Sequence, residues 1–326
     1  MNILTFPILR LLTDGKFHSG EDIATQFKTS RATVWNAIQD AEELGVEIFS
    51  VRGRGYKLPK PITLLDEQSV LSAVGEQRNW FNLEVHDHLE STNSYLMQKA
   101  STGEPHATCV AANLQSKGRG RRGRQWQAGL GASLTFSLLW RFQCGASALS
   151  GLSLAVGIAL IRTLHAFGIK QAQLKWPNDV LINGEKLAGI LIELQGDMEG
   201  PSAAVIGIGI NLNLPSKIKQ QIDQPVTDLN GVAIETINPN ALLGLLLKNL
   251  ATVLNDFEQT GFAHVRNEWL TYHAYHQKPV KMLHPDGRET LGTAIDVAED
   301  GILLVRTALG EQRFSSGEIS LRPDIS

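Results

Sequence analysis

Gln115-Ser116-Lys117-Gly118-Arg119-Gly120-Arg121-Arg122-Gly123-Arg124-Gln125-Trp126 is the stretch on which the choice of fold turns. Gly118, Gly120 and Gly123 match the GxGxxG spacing of a dinucleotide-binding turn, which in a doubly wound sheet must open a helix. Here the loop runs through residues 127–131 into the strand-like residues 133–139, and no Gly-Lys-Ser/Thr ends it as a Walker loop would. Neither of those nucleotide folds is indicated. What remains is a loop of five cations and three glycines, whose free backbone can turn its amides onto a phosphate or carboxylate while the arginines grip it bidentately. A solvated basic turn or an RNA-binding tract has the same composition. Charges this dense repel one another, so the empty loop is expected to be disordered.

Working outward, Lys175-Trp176-Pro177-Asn178-Asp179 precedes a strand at 180–182, the hairpin turn Asn183-Gly184 and a strand at 186–193. Strict alternation places Lys186 with Ala188, Ile190 and Ile192 on one apolar face, where its ammonium either finds an anionic partner or snorkels to solvent. Lys175, Asn178 and Asp179 also fit a plain polar turn. The strand at 205–212 interleaves Gly207 and Gly209 with Ile206, Ile208 and Ile210, leaving one face bare for a ligand or for a tight sheet contact. Glu90-Ser91-Thr92-Asn93-Ser94 stands before a helical segment at 95–100, as a helix cap or as a polar pocket.

Toward the N-terminus, residues 3–12 and 19–27 read as helices, and Ser30 caps a third whose Val34, Ile38, Ala41 and Leu44 share a face before Gly45. Two helices joined by a tight turn, then a hairpin through Arg52-Gly53-Arg54-Gly55, make a winged helix-turn-helix. Ser30, Arg31, Thr33, Trp35 and Asn36 would face base edges, with Arg52, Arg54 and Lys57 on phosphates. A three-helix module for protein contacts is the alternative, because residues 1–62 carry 8 Lys/Arg against 7 Asp/Glu. Pro59-Lys60-Pro61 reads as a linker. From Pro279 onward, short strands alternate with turns at Pro285-Asp286-Gly287, Glu299-Asp300-Gly301 and Leu309-Gly310, a small all-β rhythm.

The whole chain, 326 residues with a net charge of -3, is long enough for two or three domains and has no global field for nucleic acid or lipid. Its 2 cysteines, Cys109 and Cys144, lie far apart without metal-ligand spacing, so no metal site is expected and a reducing, cytoplasmic setting fits. No secretion signal and no membrane-length apolar run is seen.

Taken in order, these segments resemble the biotin-protein ligase family, specifically the bifunctional bacterial form that also acts as the biotin operon repressor. The resemblance runs from His18-Ser19-Gly20-Glu21 and Gly53-Arg54-Gly55-Tyr56 through Ser91-Thr92-Asn93, the 118–124 loop, Lys175 to Asp179 and Lys186-Leu187-Ala188-Gly189-Ile190-Leu191. It continues with Gly207-Ile208-Gly209-Ile210-Asn211 and Gly317-Glu318-Ile319-Ser320-Leu321-Arg322. It implies an α+β multidomain chain: a winged helix-turn-helix at 1–62, a central class II aminoacyl-tRNA-synthetase-like mixed sheet with helices at 63–275, and an SH3-like β-barrel at 276–326. It further implies ATP-dependent formation of biotinyl-5′-AMP and transfer of biotin to a lysine of the biotin carboxyl carrier protein of acetyl-CoA carboxylase. Repression at operator DNA of biotin genes would use a homodimer promoted by biotinyl-5′-AMP as corepressor. By the same resemblance Ser91, Thr92, Asn93 and Gln115 line the biotin pocket, Arg119, Gly120, Arg121 and Trp126 close over it, and Gly207, Gly209 and Asn211 complete the ligand site. Lys186 would meet the carboxylate, Asp179 would orient or deprotonate the acceptor amine, and Mg²⁺ would accompany ATP. The related repressor covers adenine with a tryptophan, whereas residues 212–228 here offer Ile218, Ile222 and Val226. A lipoate-protein ligase and a ligand-sensing transcription factor without catalysis are the rival readings.

Overall fold

The computed structural model describes residues 1–60, 62–127, 129–196, 198–316 and 320–324. At the N-terminus α1 (Thr5–Leu12), α2 (Gly20–Gln26) and α3 (Arg31–Glu43) form a three-helix unit closed by the hairpin of β1 (Phe49–Val51) and β2 (Gly55–Lys57). The caps are those read from the sequence: Ser19 Oγ accepts from Asp22 N, and Ser30 Oγ accepts from Thr33 N. Phe6, Leu9, Leu12, Ile23, Val34 and Ile38 fill the core between the helices. The wing is pinned by backbone bonds between His18 and Tyr56, and a Cβ at Gly55 would stand 1.9 Å from His18 O, at a φ of +96°.

The central sheet has seven strands: β3 (Asn82–Leu89), β4 (Thr108–Gln115), β5 (Ser133–Phe142), β6 (Ala172–Lys175), β7 (Asp179–Ile182), β8 (Glu185–Gly196) and β9 (Ser202–Asn211). Their order is β3-β4-β5-β9-β8-β7-β6, with β3 and β4 parallel and the other neighbours antiparallel. One face is covered by α4 (Glu67–Val74), α6 (Leu152–Ala166), α9 (Pro239–Thr260) and α10 (Ala263–Tyr272), which with Phe136, Leu138, Ile190, Ile206 and Ile208 form the main core. The opposite face carries α5 (Thr92–Ser101), packed on Val110, Leu139, Ala203 and Val205. Two single-turn helices, α7 (Ser216–Lys219) and α8 (Leu229–Val232), lie between β9 and α9. The C-terminal domain is a five-stranded antiparallel sheet of β10 (Pro279–Leu283), β11 (Glu289–Val297), β12 (Leu303–Thr307), β13 (Gly310–Phe314) and β14 (Ser320–Pro323). Its interior, Val280, Val297, Leu303 and Leu321, merges with the main core, and the Trp176 indole N–H donates to Gly301 O at 3.0 Å.

The three units are not beads on a string. Leu114 at the end of β4 and Leu130 belong to the winged-helix core, and a Cβ at Gly131 would touch Ile62 at 2.8 Å. Arg10 forks onto the Asp87 carboxylate. Pro61 lies outside the described residues, but the segment after it is held down: buried Asn113 accepts from Leu65 N at 2.8 Å, and buried Asn240 accepts from Asp66 N at 2.8 Å. The residues that follow the proline-flanked stretch thus carry apolar and amide anchors that the catalytic unit satisfies.

Candidate functional site

The face of the sheet beneath the start of α5 holds a buried polar pocket. Ser91 caps α5, accepting from Ser94 N, which sets Thr92 and Asn93 over the strands. Thr92 N donates to Gln115 Oε1 at 2.7 Å, Ser137 Oγ lies 2.8 Å from Thr92 Oγ1 and 2.6 Å from Asn93 Oδ1, and Asn93 Nδ2 donates to Glu193 Oε2 at 2.9 Å. Ser91, Thr92, Asn93, Gln115 and Ser137 are buried, so their polar atoms need such partners. The glycines of β9 make room: a Cβ at Gly207 would stand 2.1 Å from Asn93 Oδ1, and one at Gly209 would stand 2.4 Å from the Trp126 ring. The bare strand face thus admits the side chains of Asn93 and Trp126.

Lys186 is placed by a feature that the alternating pattern could not show. Between β7 and β8 the register shifts, Val180 pairing with Ala188 but Leu181 with Lys186, so Leu187 is an extra residue in a β-bulge. The expectation that Lys186 shares the apolar face of Ala188, Ile190 and Ile192 is therefore wrong. Leu187 and Ala188 both enter the main core, and Lys186 turns to the glycine face, its Nζ 3.2 Å from where a Gly189 Cβ would be. There it meets Asp179 Oδ1 at 2.7 Å, while Lys175 Nζ stands 4.0 Å from Asp179 Oδ2. Burial alone would push the Asp179 carboxyl up, but the Lys186 and Lys175 ammoniums hold it below the ordinary carboxylate value. So depressed, Asp179 is suited to orienting a cationic or hydrogen-bonding group and poorly suited to removing a proton.

Along its described length the basic loop is folded back on itself. Trp126 N donates to Gly118 O and Gly120 N to Arg124 O, closing the loop on itself, and a Cβ at Gly118 would meet Trp126 O at 2.5 Å. The cations separate onto different partners, which relieves their repulsion: Arg119 onto Glu193 at 2.8 Å, Arg122 onto Ser320 Oγ at 2.8 Å, Arg121 onto Asn178 Oδ1 at 3.1 Å and Ser316 O. Arg122 is left-handed, with φ 58°. Burial lowers the Arg121 pKa.

Two cavities meet here. A cleft of about 430 Å³ is bordered by Arg121, Arg124, Lys175, Asp179, Lys186 and Arg322, with Ile222 and Val226 on its apolar side. A smaller cavity of about 60 Å³ reaches Ser91, Thr92, Asn93, Gln115, Gly207 and Gly209. Gly120, Arg121, Trp126, Asn178 and Lys186 border both. The larger has the volume of a small-molecule site and the smaller does not, because the Trp126 ring covers Gly189 and Gly209. Its indole N–H is buried without an acceptor among the described residues, so an arriving ligand that moves the ring can also bond it. Asn211 borders the large cleft but donates to Thr227 O at 3.0 Å, fixing the 225–227 segment beside Lys186. Of the expected apolar covers, Ile222 and Val226 line the cleft, while Ile218 packs toward Gly129.

In the winged domain Arg31, Trp35 and Asn36 are exposed on one side of α3, Trp35 to 54%, and Arg52 and Arg54 are exposed on the wing. Ser30 and Thr33 are bonded to each other as the cap, and the Arg54 guanidinium lies 4.2 Å from the centre of the Phe17 ring. Sequence reasoning missed Ser137, Glu193 and Arg322. The alternation of Ser133, Thr135 and Ser137 with Leu134, Phe136 and Leu138 was a usable signal for the first. Arg322 lay hidden because a separate domain brings it in.

A buried pocket of amides and hydroxyls, opening past a lysine and an arginine loop into a nucleotide-sized cleft, defines a ligase that activates a carboxylic acid. Joined to a winged helix, it defines such a ligase with a DNA-binding arm. Residues 85–211 match the biotin/lipoate A/B protein ligase family, residues 5–57 an HTH domain and residues 276–322 the biotin protein ligase C-terminal domain. The chain is 35% identical to the bifunctional ligase/repressor BirA of Escherichia coli (strain K12) over 321 residues, covering 98% of each, and belongs to that family of bifunctional ligase/repressors. It is also 34% identical to the biotin--[acetyl-CoA-carboxylase] ligase of Paracoccus denitrificans, covering 71% of this chain and 96% of that one. The biotin protein ligase of Aquifex aeolicus in complex with biotin and ATP superposes with a TM-score of 0.64 at 28% identity, covering 74% of this chain and 99% of that one.

Proposed function

We propose that this chain joins biotin and ATP into biotinyl-5′-AMP, passes biotin to a lysine of the carrier domain of acetyl-CoA carboxylase, and represses biotin genes as an adenylate-promoted homodimer in the cytoplasm. What carries the reading is the meeting of the two cavities at Lys186, where a carboxylate from one must approach an α-phosphate in the other. Two anions repel, so cations at that junction lower the barrier by offsetting ground-state repulsion and matching the charge that spreads in the transition state. The carboxylate oxygen bonds to the α-phosphorus, the bond to pyrophosphate breaks, and Lys186 with Arg121 holds the mixed anhydride. A neutral lysine amine of the acceptor then attacks the acyl carbon, the bond from that carbon to the phosphate oxygen breaks so that AMP leaves, and the amine's proton passes to the departing phosphate or to solvent, with Asp179 placed to orient that amine. ATP enters as its Mg²⁺ complex, the cation riding on the phosphates as substrate; among the described residues no trio of His, Cys, Asp or Glu is arranged to hold an ion. No helix of the described chain is long and apolar enough to cross a membrane.

The deciding experiment is pyrophosphate exchange into ATP by the purified chain. Exchange is expected to require biotin. Exchange with lipoate instead would make it a lipoate ligase, and binding of either acid without exchange would leave a ligand sensor.

Arg121 offers a test of the loop as a lid. Its guanidinium ties the loop to Asn178 and to Ser316 of the C-terminal domain, so Arg121→Gly removes both ties and loosens the backbone. Adenylate is expected to form still but to leave roughly 10- to 100-fold faster, the loss of one or two charge-assisted contacts. Stopped-flow dissociation measures this; an unchanged off-rate would show that Arg121 is no part of the lid.

A further inference from the structure

We propose that Trp35 reads operator DNA by packing its indole on the 5-methyl groups of thymines in the major groove, between Arg31 for guanine and Asn36 for adenine. This deepens the repressor reading and rests on it. α3 buries Val34, Ala37, Ile38 and Ala41 against the other helices, which turns Arg31, Ala32, Trp35 and Asn36 outward on the opposite side. A lone exposed apolar side chain would need no explanation. Here an indole with 54% of its surface exposed, and a methyl group, lie between a guanidinium and an amide. Among the described residues Arg31 and Asn36 make no hydrogen bond or ion pair, so their donors are unused.

Charge decides which end of α3 can approach a duplex. Its last turn carries Asp40, Glu42 and Glu43, which phosphates repel, and Gln39 is spent on Glu42, its Nε2 donating to Oε2 at 2.6 Å. The first two turns are left to meet base edges. There the major groove offers matching chemistry: guanine accepts a fork from arginine, adenine pairs with an asparagine amide, and thymine alone among the four bases presents a methyl group. With 8 Lys/Arg against 7 Asp/Glu in the winged domain, phosphates contribute little to choosing a sequence, and the indole is the largest surface available for it. Arg31 and Trp35 are four residues apart, about 6 Å along the helix, or roughly two base-pair steps. The thymine should therefore lie about two pairs from the guanine.

The wing has the complementary task. The Arg54 guanidinium lies 4.2 Å from the centre of the Phe17 ring and Lys57 Nζ lies 5.7 Å from it, so one aromatic face seats two cations at the surface of the domain. Cations held there suit the phosphate backbone, which positions the domain without reading sequence. Reading falls to α3, and within it to groups that carry no charge pair.

The test uses the full chain with biotinyl-5′-AMP and the duplexes that it selects from a random-sequence pool. Replacing a thymine by uracil removes the methyl group and nothing else. Made at the contacted thymine of each half-site, this should weaken wild-type binding about 10-fold, roughly three- to fourfold for each methyl group withdrawn. Trp35→Ala should bind the selected duplex at least about 10-fold more weakly than wild type and be indifferent to the replacement. It should keep its affinity for random DNA and the salt dependence of binding, because no phosphate contact is lost, and this also reports that the domain is folded. Trp35→Phe should regain much of the affinity together with the sensitivity to uracil, and it carries the test if the alanine variant is unstable. Equal binding of thymine and uracil duplexes by wild type, or undiminished uracil sensitivity in Trp35→Ala, would mean that another group reads the sequence. An equal loss on random and selected DNA would make Trp35 a packing residue; each of these overturns the proposal. If the wild-type chain selects no sequence, the repressor reading itself fails, and the exposed face of α3 is a protein contact.

Discussion

Lys186→Ala is expected to cut adenylate formation by about 30- to 1,000-fold, the loss of roughly 2–4 kcal/mol of transition-state stabilisation from a charge held at the mostly buried junction of the two cavities. The side chain stands where the pocket and the cleft join, 2.7 Å from Asp179 and 5.7 Å from the centre of the Trp126 ring. Truncation would thus remove three things together: the cation for the reacting oxygens, the partner that keeps Asp179 ionised, and a cation–π contact that helps seat the indole. The fold should persist, because Lys175 stays beside Asp179 as a second counter-charge and Leu187, the bulged neighbour, is anchored in the core. Comparing Lys186→Ala, Asp179→Asn and the double variant separates direct stabilisation from repositioning: if Lys186 acts mainly by holding Asp179, the double variant will be no slower than Asp179→Asn. Exchange at near wild-type rate in a folded Lys186→Ala chain would end its assignment to the chemistry.

That lysine also marks the limit of what the chain pattern discloses. Composition and caps were enough for the winged helix, since Ser19, Ser30 and Gly55 act within a few residues of where they stand. The hairpin after Lys175 was equally legible, its turn residues Asn183 and Gly184 both having positive φ. The face of Lys186 was not, because a bulge inverts the alternation after it and leaves no mark of its own in a run of apolar residues. The loop's partners were illegible for a related reason: repulsion among Arg119, Arg121 and Arg122 is local in sequence, but the groups that satisfy them are Glu193, Asn178, Ser316 and Ser320, all distant in the chain. Glycines were informative wherever a neighbour's identity could be left open. That Gly207 makes room for Asn93 and Gly209 for Trp126 required coordinates.

Operator DNA should be bound at least about 100-fold more tightly with biotinyl-5′-AMP than without it, a coupling of about 2.7 kcal/mol between the adenylate site and the DNA-bound state. The winged domain has 8 Lys/Arg against 7 Asp/Glu, so one copy meets phosphates weakly, and useful affinity needs two copies at fixed spacing. The contacts of the ligand loop give that need a route to the small molecule. The loop leaves β4 just after Leu114 and returns through Leu130 and Gly131; Leu114 and Leu130 lie in the winged-helix core, and Gly131 abuts Ile62. Closing the loop on an adenylate would narrow the positions open to both ends of it, and hence to the winged helix seated on them, so less orientational entropy would be lost when the proposed dimer docks on two half-sites. Reciprocity follows: removing residues 1–62 should leave adenylation measurable, yet let the adenylate escape faster, since Leu114 and Leu130 lose their cover and Asp87 loses Arg10. Titrating operator DNA with and without adenylate, beside the off-rate of adenylate from the truncated chain, measures both directions. Equal operator affinity in the two states, with an unchanged off-rate after truncation, would leave the winged helix bound to the catalytic unit by contacts that carry no information between them.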